Sequence, residues 1–430
     1  MNNDNAATAL SALILWQVAA VLHQSRPAGL WKRSAFLGLL LGLGLLSKAN
    51  LIALVPVVGL ALVVASARNT AGARQSRDPG LNRWGLPAVG RLALAFGIAA
   101  LASGWYFLRN WLLYGDPMGW SFLLEINAQR KGPLTPEVLG WLFKGVFRSF
   151  WLGWIGIQFD EALYWLIGAA CAVGVLGFAF WLIRRWHTLG GDIRWTLATL
   201  GLHVTITLAS LVVWTATVLG TDQGRLIYPI LPTVMLVLVA GWAWWARGRS
   251  RLWTLGGLAT GMLALAILTP IRYIAPVHAP APKASAAELA AATTLDADWD
   301  GIRLLGYRLE STRVQPGGKL VLDLYWQALG PVEQDLIAFI QLVDEEGKFL
   351  MYVDGSPTAG RDMTDRWLPG QPLASRHLLP VPGYGQPGTY RLTISVHPFG
   401  EQEWLPAIGP GGTTLGDQLV LPEAIILETR

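Results

Sequence analysis

The side chains able to do chemistry in this sequence stand at the ends of apolar runs. Asp4, within Asn3-Asp4-Asn5, directly precedes the first such run. It either caps a helix, a position that favours Asp and Asn, or offers a surface carboxylate to a hydroxyl or phosphate-bearing ligand. Lys48 follows the Gly-rich run Gly38 to Ser47. It either snorkels to an interface or acts as a point charge toward a lipid phosphate. Arg109-Asn110 and Tyr114-Gly115-Asp116-Pro117 open a connection that also holds Glu125, Arg130 and Lys131. Asp-Pro is a good turn former, yet mixed charge among Trp111, Trp120, Trp141, Trp151 and Trp154 also suits an anionic amphiphile. Asp222-Gln223-Gly224-Arg225 precedes Tyr228-Pro229 at an otherwise apolar turn. There, a surface ion pair and an Arg clamping a phosphate bidentately are the two readings. Lys48 and Arg225 read as isolated cations.

Other chemistries lack their residues. The sequence has no phosphate-binding glycine loop, no nucleophile elbow and no His/Cys cluster, so no metal or other cofactor is called for. Cys171 is the single cysteine, which leaves no disulfide to brace any domain.

The elements that must position these residues follow from hydropathy. Of 430 residues, 53% are hydrophobic and 14% charged, against about 25% charged in soluble domains. Apolar runs of membrane-crossing length or near it occupy 6–23, 35–47, 50–67, 90–108, 162–183, 195–219, 228–246 and 252–271. Lys48-Ala49-Asn50 followed by Pro56 divides the second run from the third, because a lysine at mid-bilayer is costly. The net charge of +5 comes largely from short loops holding Arg26, Lys32, Arg33; Arg68, Arg74, Arg77, Arg83; Arg184, Arg185, Arg194; and Arg247, Arg249, Arg251. These loops alternate with turns holding only Lys48 and Arg225. The bias places the Arg-rich loops in the cytoplasm and both termini outside, and it makes nucleic acid an unexpected partner. Met1 to Asn5 has no basic n-region, so no cleavable signal peptide is expected. The Trp-rich connection 109–161 reads as interfacial helices. Over Pro136 to Phe150, the helical period puts Val138, Leu142 and Val146 on one face and Lys144 and Arg148 on another.

Beyond a Pro- and Ala-rich linker at 276–294, the period changes to two. Strand-like runs at 302–314, 319–328, 335–343, 348–353, 373–380, 388–397 and 416–427 alternate with turn signals such as Pro316-Gly317 and Glu346-Gly347. The expected architecture is a polytopic α-helical membrane bundle of about eight spans over 1–275, then an all-β sandwich over 295–430. Its type is immunoglobulin-like or jelly-roll, with Tyr307, Tyr325, Trp326, Trp367 and Tyr390 in its core.

In these motifs the chain resembles the GT-C class of membrane glycosyltransferases, in the branch of the protein O-mannosyltransferases and the lipid A aminoarabinose transferase. The matching features are Asn3-Asp4-Asn5 before a span and a Gly-rich span ending in Ser47-Lys48. Arg109-Asn110 with Tyr114 to Pro117, and Gln223-Gly224-Arg225 before Pro229, complete the set. Gly306-Tyr307, Tyr325-Trp326, Trp367-Leu368-Pro369-Gly370 and Pro387-Gly388-Thr389-Tyr390 resemble sandwich domains appended to some bacterial members. Each motif is short; their order and spacing carry the likeness over nearly the whole chain.

The resemblance implies a bacterial inner-membrane enzyme with an extracytoplasmic C-terminal domain. It would transfer a sugar from a polyprenyl-phosphate donor to an extracytoplasmic acceptor. Lys48, Arg109 and Arg225 would stabilise the leaving phosphate, with Arg130 and Tyr228 also in the donor site. The family's key aspartate lies in its first outer loop, and this sequence opens on what resembles a later one. The chain is thus expected to be the C-terminal part of such an enzyme, inactive by itself. Were the base within this sequence, Asp4, Asp116 and Glu125 would be the carboxylates for it. Some relatives use a metal, which no residues here demand. The rival reading is a non-catalytic membrane anchor displaying a carbohydrate-binding sandwich.

Overall fold

A computed structural model of the chain describes residues 3–24, 26–71, 82–127, 129–130, 132–153, 157, 159–277, 279–401 and 403–429. Arg74, Arg77, Lys131 and Trp154, and the side chains of Arg83 and Glu125, lie outside what is described. Two compact units emerge, Met1–Leu134 with Leu142–Met262, and Thr135–Trp141 with Leu263–Arg430.

The first unit is helical. Its elements are α1 (Asp4–Leu22), α2 (Pro27–Ser47), α3 (Leu54–Ala71), α4 (Asn82–Tyr114), α5 (Trp120–Ile126), α6 (Pro136–Trp151), α7 (Glu161–Arg185), α8 (Gly191–Thr217), α9 (Leu231–Trp245) and α10 (Arg249–Thr269). The ends of α6 and α10 belong to the second unit. Among the described residues, eight helical segments are long and apolar enough to cross a membrane, and they coincide with the eight apolar runs of the sequence. Many of their large apolar side chains face outward; Leu101 is 84% and Trp165 77% exposed. A surface of that kind suits a lipid environment.

The expected break between the second and third runs is present. Lys48 is extended (φ −159°, ψ 126°), a short 3-10 turn covers Ala49–Ala53, and Pro56 sits in the first turn of α3, where its missing N–H is not needed. Glycines let α2 pack closely on α4. A Cβ at Gly38 would lie 2.3 Å from the Ala95 carbonyl oxygen, and one at Gly42 would lie 2.7 Å from the Ala102 Cβ. Small residues allow such backbone approach between apolar helices.

The loops sort to two ends. At one end the guanidinium of Arg68 pairs with Asp192 and donates to the Leu22 carbonyl at 3.3 Å. At the opposite end of α1 lie Asp4, Lys48 and the turn at Arg225. The Arg130 amide donates to the Thr217 carbonyl at 2.9 Å, which brings the connection after α4 to the last turn of α8. On α6, Val138, Leu142 and Val146 are buried and Lys144 is exposed, as the period required. Arg148 pairs with Glu161 at 2.6 Å.

The second unit holds two sheets around one core. The strands are β1 (Thr293–Trp299), β2 (Ile302–Leu309), β3 (Arg313–Val314), β4 (Lys319–Ala328), β5 (Leu336–Asp344), β6 (Phe349–Gly355), β7 (Pro372–Pro380), β8 (Gly388–Pro398), β9 (Ala407–Ile408), β10 (Thr414–Gly416) and β11 (Leu419–Leu427). One sheet has the order β10-β9-β1-β2-β4-β7 and the other β3-β11-β8-β5-β6. Tyr307, Trp326, Trp367 and Tyr390 fill the shared core, together with Trp299. Tyr325 is also buried, but as the neighbour of Trp326 on β4 it points to the opposite face.

The pattern beginning at 302 leaves out β1. Asp296 and Asp298 are poor strand formers that disguise it, and both pair with Arg303 across the hairpin, at 3.3 and 2.6 Å. Ordered contacts also begin upstream of 295: Ala284 N donates to Pro372 O at 3.0 Å, and Ala374 N donates to Pro282 O at 2.8 Å. Within the linker, Ser285 and Glu288 form a capping box on the short helix Ala286–Ala290.

Candidate functional site

Three segments remote in sequence meet at the Asp4 end of the helical unit. Asp4 occupies the first turn of α1, where a carboxylate is favoured by the helix dipole. It is not the cap. Lys48 Nζ instead donates to Asp4 Oδ1 at 2.5 Å and to the Arg225 carbonyl at 3.1 Å. The side chains retain 17% (Lys48) and 4% (Asp4) exposure. Lys48 is therefore a paired charge rather than an isolated cation, and Asp4 is walled in. Asn3 Nδ2 donates to the Ser47 carbonyl at 2.9 Å, Asn50 Nδ2 to the Leu226 carbonyl at 3.0 Å, and Ser11 Oγ to the Pro229 carbonyl at 2.6 Å. These bonds tie the start of α1 and the α2–α3 turn to the residues leading into α9.

From its other side, α6 holds the same turn. Ser149 Oγ accepts from Gly224 N at 2.7 Å and donates to the Asp222 carbonyl at 3.1 Å. Only glycine fits at 224, since a Cβ would lie 2.3 Å from the Phe150 nitrogen. Tyr228 meets Phe150 edge-on, ring centroids 5.6 Å apart. Arg225 is exposed, and its Nε donates to Gln223 Oε1 at 2.7 Å, which steers the guanidinium. Asp222 presses on α6, where a Cβ at Gly145 would be 2.6 Å from its own Cβ. Burial pushes the Asp222 carboxyl above the ordinary carboxylate range. By sequence alone, Asp222 stands only as an ion-pair partner for a neighbouring cation. Its position beside Gln223-Gly224-Arg225 was the available signal; its burial by α6 was not.

Asp116 and Arg130 are engaged with backbone elsewhere. Asp116 accepts from Met118 N at 2.9 Å and from Ser121 N at 3.0 Å, and also from Trp120 N. It thus closes the turn leading into α5. The bond from Met118, followed by burial acting in the opposite sense and the two further backbone bonds, leaves its carboxyl below the usual range. A carboxylate so occupied is poorly suited to take up a proton. Arg130 Nε donates to the Thr215 carbonyl at 2.7 Å, satisfying the end of α8. Arg109 is exposed near the end of α4. The structure thus gathers Asp4, Lys48, Arg225 and Tyr228, and it sets Asp222 on the same turn with its side chain against α6. Among the described residues, no group of three His, Cys, Asp or Glu side chains could hold a metal ion.

No family model and no curated protein matches the chain. Among solved structures, the C-terminal domain of wzt matches at 12% identity and a TM-score of 0.22, covering 31% of this chain and 85% of that one. The alkylpurine DNA glycosylase AlkC of Pseudomonas fluorescens, bound to DNA containing an abasic site analog, matches at 12% identity and a TM-score of 0.22 over 100% of each chain. At these scores neither likeness bears on fold or function.

Proposed function

We propose that this chain acts as a membrane glycosyltransferase of the GT-C kind, using a polyprenyl-phosphate sugar, and that the Asp4–Lys48–Arg225 cluster receives the donor phosphate. Asp222 offers a base that the sequence alone did not suggest, so activity replaces the inactivity expected above. The observation that carries the reading is the bond from Lys48 to the Arg225 carbonyl, 3.1 Å across 177 residues. It joins two of the motifs that carry the family resemblance at one end of an apolar bundle, where a lipid-borne phosphate would lie.

In this reading the eight helices span a bacterial inner membrane, with the Arg-rich loops cytoplasmic. The cluster and the C-terminal sandwich, of immunoglobulin-like or jelly-roll type, are extracytoplasmic. Asp4 pairs with Lys48 and fixes its position, and the exposed Arg225 guanidinium supplies further positive charge at the same turn. Transfer breaks the bond between the anomeric carbon and the phosphate oxygen and forms one to an acceptor hydroxyl. The electron pair leaves with the phosphate, whose growing charge Arg225 stabilises. The hydroxyl proton goes to a base, a task for which the raised carboxyl of Asp222 is better suited than Asp116.

The test uses the full chain in phosphatidylcholine nanodiscs. Polyprenyl phosphate without a sugar should bind, and Arg225→Ala should weaken that binding by roughly 1.5–3 kcal/mol, the worth of one charge-assisted hydrogen bond. Transfer from polyprenyl-phosphate mannose, glucose or aminoarabinose to an envelope extract should fall in Asp222→Asn. A chain that neither binds polyprenyl phosphate nor transfers any of these sugars would sink the proposal.

A further inference from the structure

Arg91 carries a buried charge at the Arg-rich end of the helical unit. It stands in the second turn of the apolar segment Leu86–Tyr114 of α4, about 7.5 Å from its start at the helical rise. Only 4% of the residue is exposed. Three helices enclose it. Nη1 donates to Ser66 Oγ of α3 at 2.9 Å, and Ser66 is fully buried. From α2, the Trp31 ring lies against the guanidinium, its centroid 5.5 Å from Cζ. The same ring covers the α4 backbone, where a Cβ at Gly90 would lie 2.8 Å from Trp31 Cη2.

An arginine near a helix end would ordinarily snorkel its head to water; the bond to Ser66 turns this one inward. Among the described residues Arg91 forms no ion pair, and Asp192, a carboxylate at this end, is taken by Arg68. A hydroxyl satisfies one N–H and a ring face offers a weak field, so neither cancels the charge. A cation buried without a counter-charge is strongly unfavourable. Its Nε is enclosed and has no acceptor. Nη2 also lacks a hydrogen bond among the described residues but is not enclosed. It is the nitrogen that an acceptor from outside the protein would meet.

The surroundings specify that acceptor. Leu86 and Val89 are 68% and 62% exposed, and Trp31 is 42% exposed. Apolar surface of this kind faces lipid rather than a soluble anion or an acidic peptide. Ser66 lies three residues from the end of the span Ala49–Asn69, and tryptophan favours the headgroup region, so the depth is that of phospholipid phosphates. Lys32, next to Trp31 in the chain, is exposed and adds positive charge, against which a zwitterionic headgroup would bring its own cation. We infer that Arg91 and Trp31 form a site for the phosphodiester of an anionic phospholipid, with Arg91 Nη2 donating to a phosphate oxygen. The site lies at the opposite end of the bundle from Asp4 and Lys48, and the inference is independent of the transfer reaction proposed above.

Native mass spectrometry of the full chain tests it, in micelles titrated with phosphatidylglycerol or phosphatidylcholine. One phosphatidylglycerol should bind more tightly than those that follow, and more tightly than any phosphatidylcholine. Arg91→Met removes the charge and keeps the apolar stem, and it should weaken this first binding about tenfold or more. Arg247→Ala, an exposed cation of another Arg-rich loop, should leave it unchanged. In phosphatidylcholine alone, Arg91→Met should unfold with the wild type or after it, because no partner within the protein is lost. A wild type without preference for phosphatidylglycerol overturns the inference, as does equal first binding by Arg91→Met. Earlier unfolding of Arg91→Met in phosphatidylcholine would give Arg91 a partner within the protein and overturn it too. Dissolved glycerol 1-phosphate that displaces the first lipid would assign the site to a soluble phosphate and overturn the lipid assignment.

Discussion

Removing Lys48 should destabilise the helical unit, and removing Asp4 with it should restore most of the loss. Lys48→Ala deletes the 2.5 Å bond to Asp4 and the 3.1 Å bond to the Arg225 carbonyl. It leaves a carboxylate whose side chain is only 4% exposed. Breaking a buried pair from one side costs about 3–5 kcal/mol, chiefly for the stranded charge. Because Lys48 keeps 17% exposure, the lower end, about 3 kcal/mol, is expected. Asp4→Asn should cost less, about 1–2 kcal/mol, because the amide oxygen still accepts from Lys48. In Asp4→Asn/Lys48→Ala neither charge of the pair remains, so most of the Lys48→Ala loss is absent. The double variant should therefore be more stable than Lys48→Ala, with a coupling energy of about 3 kcal/mol. The assay is reversible unfolding of the full chain in mixed micelles, followed by helical circular dichroism as the denaturing detergent fraction rises. If Lys48→Ala unfolds with the wild type, or if the double variant shows the sum of two separate losses, the pair is uncoupled. Lys48 would then be a snorkelling residue.

Three further outcomes follow from the geometry. His377 on β7 is buried, with Nε2 3.1 Å from Ser375 Oγ and 3.2 Å from the Pro357 carbonyl. Burial, outweighing that carbonyl, holds its imidazole down from 6.5 to about 4. Its contribution is thus intact above pH 6.5 and lost as pH falls through about 4, by about 3 kcal/mol in all; His377→Gln should flatten that part of the pH–stability profile of residues 279–430 expressed alone. In the same fragment, Trp326→Ala should cost about 3–5 kcal/mol in urea unfolding. Trp326→Phe should cost less than half of that, because the indole N–H it removes is buried without a hydrogen-bond partner; equal losses would refute this account of the core. For sidedness, single cysteines at Arg249 and Gly347, introduced in place of Cys171, should label from opposite faces of sealed cells; labelling both from one face would reject the proposed orientation.

Local sequence determined much of this protein. Hydropathy is a property of a segment by itself, so eight apolar runs located eight helices, and Lys48-Ala49-Asn50 with Pro56 located the break between α2 and α3. Alternation and turn residues are equally local, and they found most strands of both sheets. They missed β1, because Asp296 and Asp298 make sense in a strand only with Arg303 across the hairpin. The roles of the charged residues were not legible, since a charge is defined by what faces it. Asp4 and Lys48, 44 residues apart, read singly as a cap and a free cation and became a pair only when α1 met the end of α2. Asp116 read as a candidate acid, and the amides of the α5 turn occupied it. Asp222 acquired its burial from α6, and the enclosure of Arg91 needed α2, α3 and α4 side by side. Each of these depends on chain crossings distant in sequence, which periodicity and composition do not encode.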